Sequence, residues 1–393
     1  MERAELIAVL RATGCGEERG GLFFLFDPSL GSSARPQIAG RQSEITDGWL
    51  CVATGGSSGG LKFARHDERT LTAAVEGFRA HFEFERVNAV DVLPAYHVSG
   101  LMARVRCAAT GGQHVAWDWK QLEAGSRPPI AQGESWVISL VPTQLQRLLA
   151  SEEATAWLRR FATIFIGGGP VWPALAEAAA KAELRVSLSY GMTETAAMVA
   201  ALRPEEFLAG ARSSGAPLPH ARIDLGPDVV RVLSHPTESG MRGEGTPPPF
   251  SPEGVVRVAG ESVFRGYWPE ASTTREFVTE DLGYFDARGH LHVSGRRDAV
   301  IITGGKKVQP AEVEAALRAS GEFSDVAVIG VPDAEWGEAV VACYPATERT
   351  PNFEKSIAGL AGFQRPKRFV AIAEWPRNAQ GKINHAELRR QAK

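Results

Sequence analysis

The chain has 393 residues, of which 44% are hydrophobic and 23% are charged, a composition typical of a globular enzyme with two or three domains. A net charge of −3 at pH 7 argues against a surface that binds nucleic acid. Four dispersed cysteines predict neither a disulfide framework nor a zinc cluster. The chain also lacks a signal-peptide pattern and any apolar run of about 18 residues, so we expect a cytoplasmic protein without a membrane span.

The first informative segment is TGGSSGGLKFARH, residues 54–66. Small residues let backbone N–H groups converge on an anion, and Lys62 adds a positive charge, which is typical of a phosphate-binding loop. A P-loop is excluded, because Leu61 separates Lys62 from the last glycine and Phe63 replaces the required hydroxyl. The G-x-S-x-G pattern of serine hydrolases is matched around Ser58, and a flexible turn is the third interpretation.

Strands and helices alternate in the next part of the chain. The runs AVDVLPA, SWVISLVP, ATIFIGGG and LRVSLSYG predict buried strands, and PTQLQRLLAS and PALAEAAAKA predict helices that begin near a proline. This order predicts a mostly parallel α/β sheet, with functional loops at the carboxyl ends of its strands.

The pattern changes after about residue 215. ARIDLG, VVRVLS and GVVRVAG predict a small antiparallel β subdomain around a Pro/Gly-rich loop at residues 235–254. A hairpin with its turn at residues 287–289 follows. Beyond residue 298, the helix PAEVEAALRA and the strands VAVIGVP and RFVAIAEWP predict a small α+β domain.

Two segments that follow predicted strands carry candidate chemistry. In GGGP (167–170), bare backbone suits a flat ring or a phosphate, and a simple strand-to-helix turn is the alternative. In SYGMTET (189–195), Tyr190 offers a ring, the threonines offer hydroxyls, and Glu194 offers a hard oxygen ligand for Mg²⁺. A capping box is the alternative for the threonines.

Isolated polar residues are weaker candidates. His97 in PAYHVSG and Lys382 in RNAQGKIN each have a plain structural alternative, as a buried polar neighbour and a solvated lysine. His290 and His292 share one face of a strand, but two ligands without a third make a poor metal site. The charged residues 296–298 are also compatible with a surface salt bridge.

In their order and spacing, these segments resemble the adenylate-forming superfamily of acyl-CoA synthetases, adenylation domains and luciferases. The resemblance covers roughly residues 50–393 and rests on TGGSSGGLK, PAYHVSG, GGGP, SYGMTET, FRGYW, DLGYFDARGHLHVSGRRDAVIITGGKKVQPAEVEAAL, GVPDAEWGE and RNAQGKI. YHVSG and LSYGMTETAAMVA are most similar to the acid–CoA ligases of menaquinone and phylloquinone biosynthesis. The chain departs from the family at Leu61, where proline is usual, at Glu280, where glycine is usual, and in a shortened amino-terminal region.

The resemblance implies an ATP-dependent ligase that joins a small-molecule carboxylic acid to CoA through an acyl-adenylate, with Mg²⁺ as cofactor. It implies an α/β fold with a large amino-terminal domain of mostly parallel sheets and helices plus a small β subdomain, over residues 1–297. A small, mobile α+β domain would follow over residues 298–393, with the hinge at Asp298.

The family's functional residues map onto this sequence as follows. The resemblance assigns catalysis to Lys382, Thr193 and His97, and magnesium binding to Glu194. ATP and AMP binding is assigned to Thr54, Gly55, Gly56, Ser57, Ser58, Gly59, Lys62, Gly167, Gly168, Gly169, Ser189, Tyr190, Gly191, Met192, Asp281 and Arg296. The acyl pocket is assigned to His97, Ser99, Gly100, Gly168, Ser189 and Met192, and CoA contacts to Lys306 and Lys307.

Four alternatives remain at this point. The acid could be another aryl or short fatty acid, or the acyl group could be loaded onto a carrier protein, although no carrier domain follows Lys393. A serine hydrolase would use Ser58 with a late histidine such as His385, and an inactive relative would only bind nucleotide. The sequence leaves the oligomeric state open, with a homodimer as one candidate.

Overall fold

The computed structural model describes residues 1–29, 47–55, 61–131, 134–227, 253–270, 272, 274–323, 325–346, 350–377 and 383–392. The described helices are α1 (Arg3–Arg11), α2 (Glu68–Phe82), α3 (Val98–Thr110), α4 (Trp119–Glu123), α5 (Pro142–Leu149), α6 (Glu152–Leu158), α7 (Pro173–Lys181), α8 (Pro204–Leu208), α9 (Pro310–Ala319), α10 (Phe353–Ser356) and α11 (His385–Gln391). Proline opens α5, α7 and α9 as the sequence predicts, because the first turn of a helix does not need its N–H. No helix in this described part is long and apolar enough to cross a membrane.

The first sheet has four strands, two of which flank the glycine-rich segment in the sequence. Its strands are β1 (Glu17–Arg19), β2 (Leu22–Leu25), β3 (Leu50–Gly55) and β4 (Leu61–His66), in that order. Only the β2–β3 pair is parallel. The inner face packs on α1 and α3 through buried leucine, phenylalanine and valine side chains. β3 and β4 pair antiparallel from Leu50–His66 to Gly55–Leu61, and residues 56–60 between them lie outside the described residues.

The central sheet carries the largest core of the molecule. Its strands are β5 (Asn88–Asp91), β6 (His114–Ala116), β7 (Trp136–Leu140), β8 (Thr163–Ile166), β9 (Val186–Met192), β10 (Ala197–Ala201) and β11 (Ala216–Pro217), in the order β11-β10-β9-β8-β7-β5-β6. The pairs from β6 to β9 are parallel, which confirms the predicted α/β fold. β10 runs antiparallel to β9, because the four-residue turn between them is too short for a crossover.

A third sheet is wholly antiparallel and forms the predicted β subdomain. Its strands are β12 (Ala221–Gly226), β13 (Gly254–Gly260), β14 (Glu276–Phe285) and β15 (Leu291–Arg296), in that order. The predicted hairpin joins β14 to β15. The predicted strand VVRVLS and almost all of the loop at 235–254 lie outside the described residues.

A fourth sheet forms the carboxyl-terminal part. Its strands are β16 (Ile301–Thr303), β17 (Lys306–Val308), β18 (Ala327–Asp333), β19 (Gly337–Pro345) and β20 (Arg368–Ile372). No ladder among the described strands joins this sheet to the three preceding ones. Contact is made through α9, where Ala315 packs against the central core and the Arg318 guanidinium lies 5.7 Å from the Trp172 ring. The division at residues 297 and 298 stays a prediction.

Basic side chains are buried between α2, α3 and the start of β12. Arg106 is 6% exposed and stacks on Phe78 at 4.0 Å, in a region that also holds His81 and His220. Burial, followed by the positive charge of Arg106, lowers the pKa of His220 to about 4 from an ordinary 6.5. His220 is therefore neutral in the folded chain at pH 7.

We predict that acid destabilises the fold through His220. Because the pKa of His220 is lower in the folded chain than in the unfolded chain, the free energy of unfolding falls as the pH drops below 6.5. The loss through this histidine is about 3 kcal/mol at pH 4. Urea unfolding between pH 7 and pH 4 should give a flatter pH dependence for His220→Asn than for the parent chain. Parallel curves would contradict this account.

Candidate active site

Four segments that are distant in the sequence meet at the carboxyl ends of β8 and β9. They are the β3–β4 hairpin, the glycine turn after β8, the turn from residue 193 to 195 after β9, and the start of the β14–β15 hairpin. Hydrogen bonds from β3 and β14 join the β9 segment, at Glu194 and Tyr190. In a parallel sheet, this edge is where ligands bind, because the strand ends and the following turns converge there.

The turn Thr193–Thr195 is held from several elements. The Thr193 carbonyl accepts from His66 Nε2 at 2.7 Å, and the Glu194 carbonyl accepts from the Phe264 N–H at 2.9 Å. Glu194 is 7% exposed, and its Oε1 accepts from the Tyr267 hydroxyl at 2.7 Å and from Thr54 Oγ1 at 3.4 Å. A carboxylate is therefore fixed within a largely buried turn.

The two threonines of this turn have different surroundings. Thr195 Oγ1 accepts from the Met192 N–H at 3.1 Å and bonds the Ala197 carbonyl at 2.7 Å, so the capping interpretation is correct for Thr195. The Thr193 hydroxyl makes no hydrogen bond to any residue that the structure describes. Only Thr193 thus keeps its hydroxyl available for a ligand.

The backbone after this turn is strained. Ala196 and Ala197 have φ angles of 51° and 77°, in the left-handed region that residues with a Cβ rarely adopt. Such conformations cost on the order of 1 kcal/mol each and persist where surrounding contacts enforce them. The contacts to the turn therefore determine its shape.

The β3–β4 hairpin brings a hydroxyl and a lysine to this place. Thr54 and Lys62 are directly opposite in the ladder, next to the pair formed by Gly55 and Leu61. The Lys62 ammonium lies 5.4 Å from the centre of the Tyr267 ring. The predicted phosphate contacts Gly56, Ser57, Ser58 and Gly59 lie outside the described residues.

The glycine turn after β8 lies against the middle of β9. A Cβ added to Gly167 would be 2.9 Å from Ser189 Oγ, and Gly168 has a φ of 77°. Ser189 Oγ donates to the Ile166 carbonyl at 3.2 Å. Further along β9, a Cβ on Gly191 would overlap the Ala197 carbonyl, and the Met192 side chain is half-buried. Bare backbone is thus required at Gly191, whereas a Cβ at Gly167 would press only on the Ser189 hydroxyl.

Tyr190 and Asp281 connect the central sheet to the third sheet. The Tyr190 hydroxyl donates to Asp281 Oδ2 at 2.6 Å, and burial, with the Asp281 charge, raises the pKa of Tyr190. Arg296 lies opposite Asp281 in the ladder, with Nη1 3.6 Å from Oδ1. Its shorter contacts are two hydrogen bonds of 2.8 Å to Asp298, which raise the pKa of Arg296.

Glu280, the departure from the family pattern, has its own partner. Its carboxylate accepts two hydrogen bonds from Arg297, of 3.0 Å and 2.9 Å. Successive strand residues point to opposite faces, so this pair is separate from Asp281 and Tyr190. Both arginines thus form ion pairs, Arg296 with Asp298 and Arg297 with Glu280, and a ribose contact by Arg296 stays a prediction.

The predicted acyl-pocket residues His97, Ser99 and Gly100 lie at the start of α3. His97 is the residue before the helix, and its ring is 4.8 Å from that of Tyr96. A Cβ on Gly100 would lie 2.4 Å from the Pro94 carbonyl, so glycine is required there by the entry into the helix. A substrate contact by these three residues stays a prediction.

The predicted CoA and catalytic lysines belong to the carboxyl-terminal part. Lys306 is exposed and Lys307 half-buried on β17, after a left-handed turn at Gly304 and Gly305. Lys382 lies outside the described residues.

Sequence reasoning missed His66 and Tyr267. His66 ends the strand that begins at the glycine-rich loop, and Tyr267 belongs to FRGYW, which matched the family without a role. Their partners are 127 and 73 residues away in the chain. For Tyr267, the family match of FRGYW could have indicated a functional residue. No sequence pattern indicated a role for His66.

The donor set fits Mg²⁺ better than a transition metal. Glu194 and Thr54 provide hard oxygen atoms, which Mg²⁺ prefers, usually with one or two carboxylates and phosphate oxygens of a substrate. Among the described residues, no group of three His, Cys, Asp or Glu side chains could hold a metal ion. His292 is paired with Asp286 at 3.0 Å, and His290 lies 3.3 Å from Glu206.

Residues 46–268 match the family of AMP-binding enzymes, and residues 312–382 match the AMP-binding enzyme C-terminal domain. The first match alone covers more than half of the chain. The chain therefore belongs to the AMP-binding enzyme family, as its motifs predict.

Curated relatives of this chain are 2-succinylbenzoate–CoA ligases. The chain is 31% identical over 310 residues to that of Geobacillus kaustophilus, covering 76% of this chain and 60% of the relative. It is 30% identical over 374 residues to that of Bacillus licheniformis, covering 91% and 73%. The chain spans 60% and 58% of the first two curated relatives it matches.

Solved structures share the fold. The o-succinylbenzoate CoA synthetase of Bacillus subtilis in complex with its acyl-adenylate intermediate superposes with a TM-score of 0.72 at 24% identity, covering 99% of this chain and 81% of that one. ATP-bound MatB from Rhodopseudomonas palustris superposes with a TM-score of 0.68 at 26% identity, covering 91% and 70%. The predicted fold class is confirmed.

We predict that Gly167 and Ser189 are energetically coupled. Gly167→Ala should displace the Ser189 hydroxyl from the Ile166 carbonyl and cost about 1 kcal/mol of unfolding free energy. In a Ser189→Ala background this cost should disappear, as urea unfolding of the four chains would show. Gly169→Ala is the control, because its nearest neighbour would be 4.0 Å away. Equal costs in both backgrounds would contradict the geometry.

Proposed function

We propose that this chain is an ATP-dependent 2-succinylbenzoate–CoA ligase. It would convert 2-succinylbenzoate, ATP and CoA into 2-succinylbenzoyl-CoA, AMP and diphosphate, in menaquinone or phylloquinone biosynthesis. The observation that carries the proposal is the meeting of the buried Glu194 carboxylate, the Thr54 hydroxyl and the Lys62 ammonium, which lies over the Tyr267 ring, at one sheet edge. The names of the curated relatives support the choice of acid.

The proposed reaction has two steps, formation of an acyl-adenylate and formation of a thioester. A carboxylate oxygen of the acid attacks the α-phosphorus of ATP, the bond to the β-phosphate oxygen breaks, and diphosphate leaves. The CoA sulfur then attacks the acyl carbon, the bond to AMP breaks, and the thiol proton is released. Both reactants of the first half are anions, so the chain must chiefly neutralise charge and position the partners.

We assign neutralisation of the negative charge on the phosphates and on the acid's carboxylate to the following residues. Lys382 would bridge the acid's carboxylate and the α-phosphate, and the Thr193 hydroxyl would donate to that phosphate. Thr54, Gly55, Gly56, Ser57, Ser58, Gly59 and Lys62 would hold the β- and γ-phosphates. Glu194 would hold Mg²⁺, with Thr54 beside it, and the ion would neutralise phosphate charge when bound.

The nucleoside would lie between the central and third sheets. Tyr190 and Gly167, Gly168 and Gly169 would enclose adenine, next to Ser189, Gly191 and Met192. Asp281 would accept from the ribose hydroxyls, with Arg296 beside it. The bond from Tyr190 to Asp281 supports this role, because it fixes ring and carboxylate together.

The acid would lie along the start of α3. His97, Ser99 and Gly100 would face it together with Gly168, Ser189 and Met192, and Lys306 and Lys307 would meet the CoA phosphates. We propose the division into residues 1–297 and 298–393, with Asp298 as hinge. The separation of the third and fourth sheets supports it. A cytoplasmic location and a homodimer complete the proposal.

Mass spectrometry of products tests the proposal directly. Purified chain with ATP, Mg²⁺, CoA and 2-succinylbenzoate should yield the CoA thioester, AMP and diphosphate. A panel of other aryl and short fatty acids is the control for specificity. A chain without preference for 2-succinylbenzoate would overturn the choice of acid, and a chain that forms no AMP with any acid would overturn the ligase.

We predict that Lys382→Ala slows diphosphate release by about 10²–10³-fold, because one charge-neutralising contact of the transition state is lost. Thioester formation from synthetic acyl-adenylate and CoA should persist. Rapid-quench kinetics measure both halves. Lys181→Ala, an exposed lysine at the end of α7, is the control and should change neither. An equal loss in both halves for Lys382→Ala would contradict its assignment.

We predict that Asp281→Asn weakens AMP binding by about 10- to 100-fold, because a charged acceptor of the ribose hydroxyls is removed. The neighbouring Glu280→Gln changes AMP affinity by less than about twofold, since its partner Arg297 forms a partly exposed pair. Isothermal titration calorimetry with AMP measures both. Similar losses for the two variants would argue against a ribose contact by Asp281.

A further inference from the structure

Two side chains without an assigned role hold the turn that contains Thr193 and Glu194. His66, at the end of β4, bonds the backbone of the turn, and Tyr267 bonds the carboxylate. Both belong to elements outside the central sheet. Each contact fixes a different part of the turn.

The tautomer of His66 follows from its partners. Its ring is fully buried, with Nε2 2.7 Å from the Thr193 carbonyl and Nδ1 3.1 Å from Thr70 Oγ1. A carbonyl oxygen only accepts, so Nε2 must carry the proton. Burial lowers the pKa of His66 to about 4. The charge of the adjacent Asp67 opposes this shift, but Asp67 is itself paired with Arg265 at 2.9 Å. The ring is therefore neutral at pH 7 and donates from Nε2.

Tyr267 fixes one oxygen of Glu194. Its hydroxyl lies 2.7 Å from Oε1 and donates to it, because an ionised carboxylate only accepts hydrogen bonds. Within the described part of the chain, both donors to this carboxylate reach Oε1 and none reaches Oε2. The second oxygen is left for another ligand.

We propose that His66 and Tyr267 are positioning residues for the nucleotide. The inference rests on the proposed function. His66 holds the Thr193 carbonyl and so fixes the backbone of Thr193. The Thr193 hydroxyl would therefore start from a fixed position when it contacts the α-phosphate. Tyr267 occupies Oε1 of Glu194 and presents Oε2 to the metal. The left-handed backbone at Ala196 and Ala197 needs such restraints, because strained backbone persists only where surrounding contacts enforce it.

His66 also lies on the same strand as Lys62. β4 begins at Leu61 and Lys62, beside the glycine-rich loop, and ends at His66, which bonds the turn. β4 thus connects Lys62, assigned to the terminal phosphates, with the turn assigned to the α-phosphate.

Tyr267→Phe tests the carboxylate contact. We expect about tenfold weaker Mn²⁺ binding, measured by electron paramagnetic resonance with α,β-methylene-ATP present, because a residue that orients a metal ligand is lost. The rate of diphosphate release should fall by a similar factor, with the KM for the acid unchanged. Tyr284→Phe, which removes a hydroxyl from a ring stacked on His292, is the matched control and should leave all three unchanged. Unaltered Mn²⁺ binding in Tyr267→Phe would overturn its role.

His66→Gln and His66→Met test the backbone contact. The glutamine amide can place a donor near the former Nε2, and methionine cannot. We expect AMP affinity to fall about tenfold in the methionine variant and to be mostly restored by glutamine. If the methionine variant does not fold, nuclear magnetic resonance of the parent chain decides: an Nε2-protonated His66 that does not titrate between pH 5 and pH 8 supports the role. An Nδ1-protonated ring, or equal affinities in all three chains, would overturn it.

These outcomes are distinct from a failure of the proposed function. A parent chain that binds AMP but releases no diphosphate with any acid overturns the ligase alone, since AMP affinity, Mn²⁺ binding and the tautomer still report on positioning. A fully active parent with unaffected variants overturns only the positioning role. A chain that binds neither AMP nor the ATP analogue overturns both.

Discussion

The buried carboxylate of Glu194 is the constraint on which this site depends. A carboxylate with 7% exposure is costly unless it is hydrogen-bonded or bound to a cation, and here two hydroxyls reach the same oxygen. These hydroxyls come from Thr54 on β3 of the first sheet and from Tyr267 in the connection between β13 and β14 of the third sheet. The carboxylate can be buried only when all three parts of the amino-terminal region are packed together, so site and fold form as one.

The topology of the central sheet explains why this carboxylate lies where a nucleotide could bind. β9 ends at the edge where the parallel strands open into turns, and β10 returns at once, without a crossover helix that would cover the edge. The tight return forces Ala196 and Ala197 into left-handed backbone and requires Gly191 to lie against the Ala197 carbonyl. The strained turn is therefore a consequence of leaving the edge open.

Arg296 links Asp281 of the third sheet to Asp298, the proposed start of the carboxyl-terminal domain. Arg296 is shared between Asp281, assigned to the ribose, and Asp298, assigned to the hinge, with the shorter contacts to Asp298. Arg297, the residue after β15, is bound to Glu280 on β14. A hinge at Asp298, as proposed, would act on a residue bound to Arg296, whose guanidinium also lies 3.6 Å from Asp281. Hinge movement and ribose contact would then depend on each other.

The sequence by itself determined the local elements of this protein and the family of its motifs. Hydrophobic periodicity, proline at helix starts and glycine after strands are local signals, so they predicted the α/β sheet, α9, the β14–β15 hairpin and the turn at Gly167–Gly169. The residue types in SYGMTET predicted a ring at Tyr190 and a magnesium ligand at Glu194, and the resemblance made these predictions specific. Their hydrogen-bond partners Asp281 and Tyr267 were fixed only by packing. His66 reaches Thr193 across 127 residues, and no local pattern records such a contact. Only the tertiary structure decided which donors meet the buried carboxylate, because burial and hydrogen bonding depend on how distant elements pack.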